Sequence, residues 1–109
     1  MTTITKDVEE LLVFLHKEYT KPDFEGLSLD QIQKITSWAS DRISRAIAYL
    51  YPNNFISLEG DTIFFKEFII MGLLPEGVNI VENKNKFKKH FNHVIDLKFY
   101  QFSWGATEK

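Results

Sequence analysis

Near the start of the chain the apolar residues recur as Ile4, Val8, Leu11, Leu12, Leu15 and Tyr19, the spacing of one helical face. Thr5 or Asp7 can serve near the start of this helix, and Pro22 closes it. Residues 21–27, with Pro22 and Gly26, read as a loop. Ser28-Leu29-Asp30-Gln31 then forms an S-x-x-Q capping box, in which the Ser side chain takes the third amide and Gln reaches back. Leu29, Ile32 and Ile35 make a narrow apolar stripe on the short helix behind it. Small polar residues at 36–40 break the period, and it returns as Ile43, Ala46, Ile47 and Leu50. This third helix is expected to take Ser40 as its N-cap, with Asp41 near the positive end of its dipole. Pro52 and the pair Asn53-Asn54 stop it.

Beyond that point the period changes to strands. Phe55-Ile56-Ser57-Leu58 is one strand, Glu59-Gly60-Asp61 a turn, and residues 62–70 a second strand rich in β-branched and aromatic side chains. Pro75 suits the first turn of a final helix reaching toward Phe91, with Ile80, Phe87 and Phe91 on one side. From Val94 to Trp104 the alternation of Ile95, Leu97 and Phe99 predicts another strand.

Residues 27–50 followed by 55–70 resemble the winged-helix superfamily of helix-turn-helix proteins. There a capped second helix, a short turn and a third helix precede a two-stranded wing. The run from Leu73 through Pro75 and Gly77 to Glu82 is similar to the L-T-x-x-G run that often opens the helix after the wing. Leu74 departs from it, standing where such proteins commonly place a Ser or Thr cap. The resemblance covers roughly residues 5–83. It implies an α+β fold, mainly α with a small β-hairpin wing, on a single domain of residues 1–109 whose C-terminal helix and strand form an extension from about residue 84.

Composition agrees with one globular core: 109 residues, 44% hydrophobic and 26% charged. Ten Phe, four Tyr and two Trp fill it well. The absence of Cys excludes disulfides and thiolate metal sites. MTTITKDVEE lacks the apolar run of a signal peptide, and the apolar stretch around residues 68–74 is too short to span a bilayer. A cytoplasmic protein without a membrane partner is the expectation. The net charge of –2 does not announce a polyanion partner, but its distribution is uneven. Residues 52–83 carry five acids against Lys66, and residues 84–98 carry five Lys against Asp96.

The resemblance makes the third helix the reader of duplex DNA. Ser40, Arg42, Ser44, Arg45 and Tyr49 are its expected contact residues, placed on or near the side away from the core. Arg42 and Arg45 are alternatively plain solvated residues, with Asp41 pairing Arg45 one turn on. Lys84, Lys88 and Lys89, in the most basic run of the chain, would add phosphate contacts or form a solubilising surface. The wing argues the other way, because its Glu59-Gly60-Asp61 turn and Glu67 would be repelled by phosphates and Lys66 is the only nearby cation. Trp38 reads as a core anchor for the turn. His90 and His93 lack further ligands close in sequence, so no metal or other cofactor is implied. Phe99, Tyr100, Phe102 and Trp104 are more aromatic surface than one edge strand hides, which predicts a homodimer interface, the alternative being a tail that folds back across the first helix and completes a monomer's core. No catalytic motif is present, so an enzyme is not expected. Two functions follow: a DNA-binding, transcriptional-regulator-like protein, or a protein-interaction module that has kept the fold without the duplex.

Overall fold

A computed structural model of the chain describes residues 4–91. Helix α1 runs over Ile4–Tyr19, as the spacing predicts, and buries Val8, Leu11, Leu12 and Leu15. Its burial goes beyond one face, however. Asp7, Glu9, Glu10, Val13, Phe14 and His16 are buried too. α1 is therefore a central helix, packed against elements described below, where a one-sided amphipathic pattern predicts a surface helix.

The stretch read as a loop ends in a short strand, β1 (Leu27–Ser28), which the sequence does not announce. Helix α2 (Leu29–Thr36) follows with its capping box formed: Gln31 N donates to Ser28 Oγ at 3.2 Å, and Ser28 N donates to Gln31 Oε1 at 2.8 Å. At its far end Ser37 takes the left-handed conformation and its amide donates to the Gln33 carbonyl. Thr36 then stitches the turn, donating from Oγ1 to Ile32 O and accepting from Trp38 N. Trp38 is buried, as a core anchor should be. Helix α3 (Ser40–Leu50) has Ala39 at its N-cap without a side-chain bond, so the expected Ser40 cap is displaced by one residue and Ser40 opens the helix itself. Ile43, Ala46, Ile47 and Leu50 face the core with no exposed surface.

Strands β2 (Ile56–Gly60) and β3 (Phe68–Leu73) form an antiparallel hairpin, and β1 pairs with the other edge of β3 to give the strand order β1-β3-β2. Ile56 faces Leu73 and Gly60 faces Phe68, with an irregularity between Ser57 and Leu58. The hairpin corrects two expectations. Its connection is residues 61–67, not a tight turn at 59–61, and the second strand begins at Phe68, not Thr62. The cause is Asp61, whose carboxylate accepts the amides of Ile63, Phe64 and Lys66 and so withdraws them from any strand ladder.

The predicted last helix is two. α4 (Pro75–Glu82) opens with Pro75 in its first turn, and α5 (Lys84–Phe91) follows after one extended residue, Asn83. The Asn83 side chain accepts from Lys86 N at 3.1 Å and caps the second helix, which is why the break falls there. α4 lies so close to the residue before β2 that a Cβ on Gly77 would overlap the Phe55 carbonyl. Phe87 and Phe91 turn inward as predicted, their ring centroids 4.8 Å apart. α1 packs against α3, α4 and β3. The described residues thus form a small α+β domain of five helices and a three-stranded antiparallel sheet. None of these helices is long and apolar enough to cross a membrane. The strand expected between Val94 and Trp104 lies outside the described residues.

Candidate interaction surface of the third helix and hairpin loop

α3 is fixed on three sides, and each contact uses a side chain that the sequence places on its free face. Arg42 turns toward α1, where Nη2 meets Asp7 Oδ1 at 2.8 Å. Its guanidinium also lies 3.8 Å from the centroid of the Trp38 ring. Ser44 is buried and donates from Oγ to the Phe65 carbonyl at 2.6 Å, tying α3 to the hairpin loop. Tyr49 is half-buried, and its hydroxyl shares a hydrogen bond of 2.9 Å with His90 Nε2 on α5. Arg42, Ser44 and Tyr49, expected on or near the free side, are thus each engaged within the fold, Ser44 buried and Arg42 and Tyr49 half-buried. The physical reason is that an eleven-residue helix wedged between a helix, a loop and a second helix has more than one buried face.

What α3 offers to solvent is narrow. Asp41, Arg45 and Ala48 are exposed, and Ser40, Arg42 and Tyr49 are half-buried. Asp41 does not turn to Arg45 as its ion-pair partner; its carboxylate takes the ammonium of Lys66 from the hairpin loop at 2.7 Å. That hydrogen bond, and then the Lys66 charge, hold the Asp41 carboxyl below the usual aspartate range, with Arg45 adding a smaller pull. Lys84, Lys88 and Lys89 are exposed on α5, where the basic run predicts them. His90 serves Tyr49 and packs edge-on against Phe55 at 5.2 Å, while His93 lies outside the described residues. Phe99, Tyr100, Phe102 and Trp104 lie there too.

The residues that sequence reasoning missed are at the loop tip. Ile63 and Phe64 are 76% and 72% exposed, the largest exposures among the large apolar side chains described. They lie in the stretch 62–70 that the sequence predicts as a strand. The loop that presents them is internally braced. Asp61 N donates to Glu67 O at 2.8 Å across its base, and the Asp61 carboxylate holds three amides above it. Those amide bonds, led by Phe64 and Ile63, lower the Asp61 carboxyl from its ordinary value. Phe65 points the other way, buried against Tyr51 with a left-handed backbone. An Asp directly after Gly60 was the available signal, since Asp side chains capture amides two or three residues on.

Glu59, Gly60, Glu67, Phe68 and Ile69 line a shallow hollow at the same end of the hairpin. Neither Glu59 nor Glu67 forms an ion pair among the described residues. No family model, curated protein or solved structure matches the chain. The surface therefore has to speak through its own chemistry: an apolar tip on a braced loop, an acidic flank, and a helix whose one exposed cation is Arg45. Such a surface can bind by apolar burial and by attraction to positive charge.

Proposed function

We propose that the chain is a winged-helix protein-interaction module, and that α3 and the hairpin loop form its contact surface without reading DNA. The winged-helix part rests on the succession of a capped α2, a short turn, α3 and a two-stranded hairpin, the pattern by which the chain resembles that superfamily. One observation carries the choice between the two functions. Arg42, the cation best placed for a groove, is folded inward onto Asp7 and Trp38. Affinity for DNA comes largely from neutralising phosphates, and discrimination at guanine from a free bidentate Arg. Arg45 is the one cation of α3 that is exposed and outside an ion pair among the described residues, and it stands next to Asp41 and an acidic hairpin.

A gel shift with random duplexes at low salt tests this. The expected result is no retention at micromolar protein. Retention that disappears on Arg45→Ala would restore the DNA reader and overturn the proposal. Retention lost only when Lys88 and Lys89 are replaced would move the duplex to α5, which also overturns it.

A further inference from the structure

We infer that the tip of the hairpin loop is a docking site for a protein segment that sets an apolar side chain between lysines or arginines. This deepens the interaction role proposed above and rests on it. The motive is the pairing of two exposed apolar side chains with local negative charge. Ile63 and Phe64 stand out from the molecule, and large side chains in water are a hydration penalty that docking removes. Phe is suited to the centre of a small contact because it buries much area with few torsions to freeze.

The loop is set before any partner arrives. Asp61 holds the amides of Ile63, Phe64 and Lys66, Ser44 holds the Phe65 carbonyl, and Lys66 reaches Asp41 on α3. A loop already ordered forfeits little conformational entropy on binding. Charge then selects the occupant. Lys66 is engaged by Asp41, whereas Glu59 and Glu67 border the hollow beside Ile69 and form no ion pair among the described residues. A Lys or Arg side chain there could lay its aliphatic stem on Ile69 and its charge near the two carboxylates. The same carboxylates repel a duplex or an anionic lipid surface, which is why a basic, apolar protein segment is the occupant.

Selection of a random peptide library on the immobilised full chain tests the proposal, with the enriched peptides then synthesised and titrated by fluorescence anisotropy. The expected peptides carry an apolar or aromatic residue flanked by Lys or Arg, and their binding weakens with salt. Phe64→Ala should reduce affinity about tenfold or more, the size of an anchor-residue effect. Ile63→Ser, a second change at an exposed position, should act in the same direction. Joint replacement Glu59→Lys and Glu67→Lys should weaken the same peptides. Failure to enrich any peptide family overturns the proposal, as does a family of acidic or neutral peptides. Unchanged affinity in the Phe64 and charge-reversed variants does so too. Peptides displaced by Arg45→Glu but not by Phe64→Ala would remove this site while leaving the interaction role standing. Retention of a random duplex would remove the role itself. Binding of phosphatidylcholine–phosphatidylglycerol vesicles through Phe64, with no peptide bound, would replace the protein partner by a membrane.

Discussion

At the scale of single residues, Arg42 and Ser44 are structural ties. Asp7 is 5% exposed, so removing its partner leaves a carboxylate with little access to water. Arg42→Ala is expected to destabilise the fold by about 1.5–3 kcal/mol, less than a fully buried pair because the Arg side chain keeps some solvent contact. Arg42→Lys should recover only part of this, since an ammonium cannot lie flat on Trp38. Urea denaturation measures both, and an Arg42→Ala protein as stable as the parent would refute the inward reading. Ser44→Ala strips the Phe65 carbonyl of its donor, with an expected loss of about 1–2 kcal/mol. Gly72 is tied by space. A Cβ there would sit 2.6 Å from Cε1 of Tyr19, so Gly72→Ala should destabilise by roughly 1–3 kcal/mol. The same change in a Tyr19→Ala background should be milder, and a double-mutant cycle reads the difference.

At the scale of elements, the hairpin loop is braced by two carboxylates, Asp61 within it and Asp41 on α3. The folded Asp61 carboxyl is held below its ordinary value by the amides it accepts. Its contribution is therefore complete above the unfolded aspartate value of about 3.9 and is lost as pH falls through the lower folded value. Asp41 shifts in the same direction through Lys66, so the loop's tether to α3 weakens in the same acid range. Amide exchange at Ile63, Phe64 and Lys66 should accelerate relative to β3 when pH drops below about 4, after correction for intrinsic rates. Asp61→Ala should give that fast exchange already at neutral pH. Equal protection in parent and variant would mean that the carboxylate does not brace the loop.

At the scale of the whole molecule, the central position of α1 matters most. Val13 falls outside the i, i+3, i+4 set of apolar positions and would tolerate a polar residue on a one-faced helix. In the folded chain it has no exposed surface. Val13→Asp is thus expected to abolish cooperative unfolding: burial of an unpaired polar or charged group is worth several kcal/mol, against about 5–15 kcal/mol of total stability for a domain of this kind. Near-parent stability in thermal melts would show that face of α1 to be open to water.

Local rules were enough for the parts of this protein whose partners lie within a few residues. Ser28 and Gln31 are three positions apart, and their capping box is legible in the sequence. The inward faces of α2 and α3, and of Phe87 and Phe91, follow from helical spacing alone, because a helix turns at a set rate. The break at Asn83 and the loop after Asp61 were also local, but side-chain capture of amides there competed with helix and strand propensity and won. What local rules could not reach was which polar side chains on α3 are free. Arg42 is taken by a residue 35 positions away, Ser44 by one 21 away and Tyr49 by one 41 away. No period along the chain encodes those separations. Only packing brings α1, the hairpin loop and α5 against α3. It turns three expected contact residues into ties within the fold, and leaves Ile63 and Phe64 in water.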